Sequence, residues 1–181
     1  MLKNSATNYG ALSKTLHWLI ALGIIMLIIV GVYMTGLDKA DPTKREIIGI
    51  HKSFGSLMMM LIVFRLIWLR ISPAPALPLV FNAKEKLLTK GVHKLLYVLM
   101  LLTPFSGYIM SNAGGYPVSF FGLFELPALI DKSKAIGGFA HEAHEILAFT
   151  MLAFVVLHVA GAIKHRLQDR DGERDILNRM L

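Results

Sequence analysis

The chain has 181 residues, of which 55% are hydrophobic and only 17% are charged, a balance far from that of a soluble globular domain. It contains no cysteine, which excludes disulfides, cysteine-ligated iron–sulfur clusters and a thiol nucleophile. The net charge is +7, but the basic residues flank apolar segments and form no basic face, so we expect no nucleic-acid binding. Any redox chemistry must therefore use a cofactor held by other ligands, and seven histidines are available.

Four apolar segments are long enough to cross the hydrocarbon core of a membrane, which requires about 20 residues. The first contains no Asp, Glu, Lys or Arg, and it is too long for the apolar region of a signal peptide. The third is interrupted by Pro104 and Gly107, which neighbouring helices can accommodate. We predict an all-α integral membrane four-helix bundle, a single domain over residues 1–181, with helices at about 15–37, 47–69, 91–110 and 142–163.

The longest connection, residues 112–138, joins the third and fourth helices and contains an apolar patch at 118–126. We expect this patch to form a short helix that packs on the membrane surface. The alternative is a lid that faces a reactant.

Lysine and arginine are distributed unequally between the two sides of the membrane. One side, with the two termini and the connection between the second and third helices, holds Lys3, Lys14, Arg65, Arg70, Lys84, Lys86, Lys90, Lys94, Lys164, Arg166, Arg170, Arg174 and Arg179. The other side holds only Lys39, Lys44, Arg45, Lys52, Lys132 and Lys134. Because basic residues accumulate on the cytoplasmic side, we predict that both termini are cytoplasmic.

Ionisable residues inside membrane spans usually mark a functional pathway, so the placement of the histidines is informative. His144 and His158 are four helical turns apart, about 21 Å along one face of the fourth helix. His51 lies at the depth of His144, and His17 at the depth of His158. A b-type haem requires two axial imidazoles from opposing helices, so this pattern predicts two stacked haems. The alternative is a haem-free transporter or metal-binding scaffold with hydrogen-bonded interior histidines.

Two glycines and an arginine follow the same spacing. Gly31 and Gly107 each follow a histidine by four turns, which places both inward at the depth of the outer haem, where a missing side chain permits close approach of a flat macrocycle. Arg65 follows His51 by the same interval and could bind a propionate of the inner haem. The alternatives are ordinary helix-packing glycines and an arginine that extends to the interface.

Other chemical motifs fail, and we identify no catalytic residue. The segment from His141 to Glu145 is similar to a zinc protease helix, but the second histidine should come four residues after the first, where Glu145 stands. Met151, midway between the two histidines of the fourth helix, is expected to be a core residue.

Short motifs surround the histidines: Leu16-His17-Trp18, Ile50-His51-Lys52-Ser53-Phe54-Gly55, Val92-His93-Lys94, His144-Glu145 and Leu157-His158. Together with the chain length, the four helices and the order of the histidines, they resemble the prokaryotic cytochrome b561 family over essentially the whole chain.

This resemblance implies a multi-pass protein of the bacterial inner membrane with two b haems, the outer held by His51 and His144 and the inner by His17 and His158. The family is similar to the haem-carrying membrane subunits of respiratory hydrogenases and formate dehydrogenases, which pass electrons to quinone. Free-standing members of about this length resemble a superoxide:ubiquinone oxidoreductase, with superoxide oxidised outside and ubiquinone reduced near the cytoplasm. The alternative within the family is an electron-transfer subunit that docks a dehydrogenase or hydrogenase.

The substrate sites are less well determined by the sequence. His93 and His165 lie at the cytoplasmic interface and could hydrogen-bond a quinone carbonyl, ubiquinone or another quinone. Spacing alone also allows His93 to replace His17 as the partner of His158. Outside, Lys52, Lys132 and Lys134 could attract superoxide, whereas a redox protein is the alternative donor; loop lysines are otherwise simply solvated.

Overall fold

The computed structural model describes residues 1–169 and 175–181. Its four long helices are α1 (Ala11–Gly36), α2 (Lys44–Ile71), α3 (Ala83–Ala113) and α4 (Lys134–Leu167). Each is long and apolar enough to cross a membrane. The predicted all-α membrane bundle is therefore confirmed.

The helices extend beyond most of the predicted span ends, because apolar composition marks only the part inside the hydrocarbon whereas a helix continues to its cap. α3 begins eight residues before the predicted span because Asn82 and Glu85 form a reciprocal capping box. The Asn82 side chain accepts from the Glu85 amide at 2.9 Å, and the Glu85 carboxylate accepts from the Asn82 amide at 2.8 Å. At the start of α4, the Ser133 hydroxyl accepts from the amide of Ile136.

The apolar patch between α3 and α4 is a β-hairpin, so the prediction of a short surface helix there was wrong. Strand β1 (Ser119–Phe120) pairs antiparallel with β2 (Phe124–Glu125). Phe121 and Gly122 have φ values of 52° and 74°, and this left-handed backbone reverses the chain where a helix would have continued it.

The bundle packs in chain order, α1 against α2, α2 against α3, and α3 against α4. The centre is aliphatic, and Met151 belongs to it as expected. At the α1–α2 contact Gly23 leaves space for the thioether of Met58. The core consists of Ile20, Ile24, Met58, Ile62, Leu99 and Met151.

Both termini and the α2–α3 connection meet at one end of the bundle. The Asn4 side-chain amide donates to the carbonyl of Ser72 at 2.9 Å, and the Trp18 indole donates to the carbonyl of Met180 at 2.9 Å. An even number of crossings requires this arrangement. Arg170 and Arg174, counted above for the orientation, lie outside the described residues.

Candidate functional site

The outer histidine pair joins α2 and α4. The ring centres of His51 and His144 are 6.3 Å apart, and the ring planes are nearly perpendicular at 85°. Both side chains are largely shielded from solvent. The sequence predicted that these two residues oppose each other at one depth, and the structure places their rings together.

The inner end contains three histidines. The ring centres of His17 on α1 and His158 on α4 are 6.1 Å apart. His93 on α3 lies closer to His158, with its ring centre at 5.1 Å and its plane at 79°.

The spacing within each pair can be compared with that of two imidazoles on opposite sides of one metal. An imidazole nitrogen binds a transition metal at about 2 Å and the ring centre lies about 1 Å further, so two such rings have centres about 6 Å apart. The His51–His144 and His17–His158 distances match this value, whereas the His93–His158 distance is about 1 Å too short. Within the described residues, no group of three or more His, Cys, Asp or Glu forms a metal-ion cluster. The arrangement fits axial ligation of a haem iron between paired rings.

The environment of His144 leaves one ring nitrogen for a metal. Its Nδ1 donates to the carbonyl of Thr103 at 2.8 Å and lies 3.2 Å from the hydroxyl of Ser106. A metal-binding histidine characteristically donates its other ring N–H to such an acceptor, which fixes the ring orientation. Sequence reasoning missed Thr103 and Ser106, although two hydroxyl residues beside Pro104 inside an apolar span were a readable signal.

His51 lacks this support. Its Nδ1 is buried and has no hydrogen-bond partner among the residues that the structure describes. A buried polar atom without a partner is rare in folded proteins. The ring of His51 is therefore available to a bound group between the two outer rings, but no hydrogen bond within the described residues orients it.

The two predicted glycines both lie against the outer histidines. A Cβ built on Gly107 would be 2.9 Å from Cε1 of His144, and one on Gly31 would be 3.4 Å from Cε1 of His51. Both glycines thus face inward at the outer depth, as expected. The group that approaches their backbone here is an imidazole ring.

Arg65 is at the inner end, inside the bundle. Its Nη2 is 3.4 Å from Nδ1 of His17, and its Nε donates to the Tyr97 hydroxyl at 3.4 Å. Tyr9, which precedes α1, belongs to the same region; burial raises the pKa of its phenol above 10.0, with Arg179 opposing the shift. The inner end therefore combines a fixed cation with neutral hydrogen-bonding groups, an environment suited to a carboxylate.

The two quinone candidates occupy different surroundings. His93 donates from Nδ1 to the carbonyl of Thr89 at 2.8 Å and contacts His158. His165 is buried and stacks on the ring of Phe81, with centres 4.3 Å apart. His165 is about 10 Å beyond His158 along α4, whereas His93 contacts His158. His93 and His165 therefore do not belong to one cluster around His158.

Lys52 is not a free charge at the outer end. Its ammonium donates to the Ser111 hydroxyl at 3.1 Å and to the carbonyl of Pro117 at 2.9 Å. These hydrogen bonds tie it to the end of α3 and to the α3–α4 connection, so the sequence hypothesis that it attracts an anion loses support.

Comparison with known proteins agrees with this architecture. The family model described as "Prokaryotic cytochrome b561" matches residues 8–181. The chain is also 35% identical over 178 residues to "Cytochrome b561 homolog 2" of Escherichia coli (strain K12), covering 98% of this chain and 93% of that protein. The four membrane helices, the paired histidines and these matches lead to one conclusion: the chain belongs to the prokaryotic cytochrome b561 family of membrane-bound, b-type haem electron-transfer proteins.

Proposed function

We propose that this protein binds two b haems and transfers electrons from a donor on the periplasmic side, superoxide first among the candidates, to ubiquinone near the cytoplasmic side of the bacterial inner membrane. The observation that carries the proposal is the presence of two histidine pairs, each with ring centres about 6 Å apart, at two depths separated by four turns of α4. Superoxide and ubiquinone enter from the family resemblance.

In this proposal His51 and His144 hold the outer haem, and His17 and His158 hold the inner one. The haem supplies a one-electron carrier at each position. The separation of about 21 Å between His144 and His158 would give each histidine pair room for one haem, with the aliphatic core of the bundle between the two pairs. Arg65, beside His17, has the charge to pair with an inner propionate.

Two superoxide anions each lose one electron and become O2, and ubiquinone takes up the two electrons with two protons to give ubiquinol. Both protons must come from the aqueous side of the quinone site. His93 suits this role in its protonated form, because Nδ1 donates to the carbonyl of Thr89 and the second N–H, on Nε2, can donate to a quinone oxygen and pass its proton to it. His165 is the second candidate, although its contact with Phe81 makes it the less accessible of the two.

The test is the haem content of single histidine variants of the purified protein. A reduced-minus-oxidised spectrum should show b haem, which distinguishes the proposal from a haem-free transporter. His51→Ala, His144→Ala and His17→Ala should each lose about half of the haem in pyridine haemochrome analysis, because bis-imidazole ligation needs both rings. His93→Ala should keep both haems and reduce ubiquinone more slowly.

The matched control is His141→Ala, an exposed histidine one turn from His144 on the same helix. It should keep both haems. Full haem retention by the His51 and His144 variants would remove the outer assignment. Loss of a haem in His93→Ala with both retained in His17→Ala would exchange the roles of those two residues.

A further inference from the structure

The two outer histidines are held in place by different means. Hydrogen bonding to Thr103 orients the ring of His144, whereas Nδ1 of His51 has no partner within residues 1–169 and 175–181. The α1 backbone passes close to the ring of His51, since a Cβ built on Gly31 would be 3.4 Å from its Cε1. The position of His51 must therefore come mainly from the position of the α2 backbone that carries it.

The two residues that follow His51 tie this part of α2 to the end of α3 and to the α3–α4 connection. Lys52 donates to Ser111 and to the carbonyl of Pro117. The Ser53 hydroxyl lies 2.9 Å from the carbonyl of Ser119 and accepts from the amide of Phe121 at 3.2 Å. Its proton has a second acceptor in the Gly49 carbonyl of its own helix, at 3.0 Å.

Helix geometry shows which side of α2 the connection covers. Successive helical residues turn by about 100°, so Lys52 is directed about 100° from His51, Ser53 about 160° from it and Phe54 about 60° from it. The connection contacts all three, since the rings of Phe54 and Phe121 meet with centres 5.0 Å apart. It therefore covers the face of α2 opposite His51 and reaches to within about 60° of His51 at Phe54.

Aromatic packing within the hairpin and a hydrogen bond from α3 hold the hairpin in place. The ring of Phe120 packs on those of Phe121 and Phe124, with centres at 4.9 Å and 5.3 Å. Tyr108 of α3 donates from its hydroxyl to the carbonyl of Pro127, which anchors the returning segment. The hairpin is thus fixed to α3 at its base and to α2 at its side.

We propose that Lys52 and Ser53 are positioning residues of the outer haem site: Lys52 holds α2 against the end of α3 and Pro117, Ser53 holds it against the β1–β2 hairpin, and together they set the distance from His51 to His144. This inference rests on the proposed ligation by that pair. It assigns the end of α3 and the α3–α4 connection a supporting role for His51, whose Nδ1 has no hydrogen bond to any residue that the structure describes.

The experiment uses Ser53→Ala and Lys52→Met in the full-length, haem-loaded protein. Each should lose outer haem faster during incubation with apomyoglobin as acceptor, and should shift the midpoint potential and α-band of the outer haem while those of the inner haem stay unchanged. Ser53→Thr and Lys52→Arg retain the hydrogen-bonding groups and should restore much of the native behaviour.

The matched control is Ser56→Ala. Ser56 is as buried as Ser53, on the same helix, but its hydroxyl donates to the carbonyl of Ser53, so its hydrogen bond stays within α2. It should leave both haems unchanged. Unaltered outer haem in Ser53→Ala and Lys52→Met, or equal loss of both haems, would overturn the inference. His51→Ala distinguishes a failure of this inference from a failure of the proposed ligation. If this variant keeps the outer haem, the assignment of His51 as a ligand is itself wrong.

Discussion

Arg65 places a permanent positive charge beside His17 at the inner end of the bundle, where it also contacts Tyr97. Arg65 contacts Tyr97 in two ways: it donates a hydrogen bond to the hydroxyl, and its guanidinium carbon lies 5.9 Å from the centre of the ring. These contacts hold Arg65 inside the bundle, which disfavours the alternative that its side chain simply extends to the interface. The charge therefore acts on whatever His17 binds.

The first consequence concerns the potential of the inner haem. A nearby cation disfavours the oxidised, more positive state, so Arg65→Leu should lower one midpoint potential by on the order of 50 mV. Redox titration followed by absorbance measures it. Arg70→Leu, further along α2, is the control and should change little. Two unchanged potentials in the Arg65 variant would exclude a propionate partner.

Gly107 supports a second prediction. A methyl group there would be 2.9 Å from the ring of His144, which cannot retreat freely because Thr103 holds its Nδ1. Gly107→Ala should therefore weaken retention of the outer haem, although alanine is the better helix former by about 1 kcal/mol. Gly91→Ala, on the same helix with nothing within 4 Å of the added carbon, should retain haem normally. The fraction of haem retained after dilution is measured for both variants. Equal fractions in Gly107→Ala and Gly91→Ala would contradict the packing argument.

Among the helices, the α1–α2 contact depends on a complementary pair at mid-membrane. A Cβ on Gly23 would be 2.3 Å from the sulfur of Met58, a buried core residue. The side chain of Met58 is flexible, so it can move, but only by disturbing the aliphatic layer between the two histidine pairs.

We expect Gly23→Ala to lower the free energy of unfolding in detergent by about 1–3 kcal/mol, the usual effect of overpacking. Met58→Ala should also destabilise, by leaving a cavity. The double variant should be more stable than the sum of the two single destabilisations predicts, because the truncated side chain of residue 58 makes room for the new methyl group at residue 23. Gly36→Ala at the open end of α1 is the control. Strict additivity would show that the two residues are not coupled.

At the scale of the whole molecule, four helices long enough to cross a membrane put both termini on one side, and from the excess of lysine and arginine there we predict that this side is cytoplasmic. The absence of cysteine provides a clean background for testing this topology. In intact cells, a membrane-impermeant maleimide should label Ala40→Cys in the α1–α2 connection and not Ala6→Cys near the N-terminus. Both positions are exposed, so disrupted cells should label both. The reverse pattern in intact cells would invert the orientation.

The four spans, the shared side of the termini and the two depths of the histidines follow from the sequence alone. Hydrophobic length and the repeat of 3.6 residues per turn are local properties, and each can be read within one helix. Gly31 and Gly107 could be placed at the outer depth for the same reason. Helix ends were less predictable, since caps such as Asn82 act outside the apolar segment.

Contacts between helices required the tertiary structure, because they depend on how each helix is rotated and shifted against its neighbours. His17 and His93 have equivalent spacing in sequence, and only packing brings their ring centres to 6.1 Å and 5.1 Å from that of His158. The hairpin likewise forms where a helix was expected, because Ser53, distant in sequence, bonds to its backbone. Long-range hydrogen bonds of this kind override local propensity and leave no periodic signal in the chain.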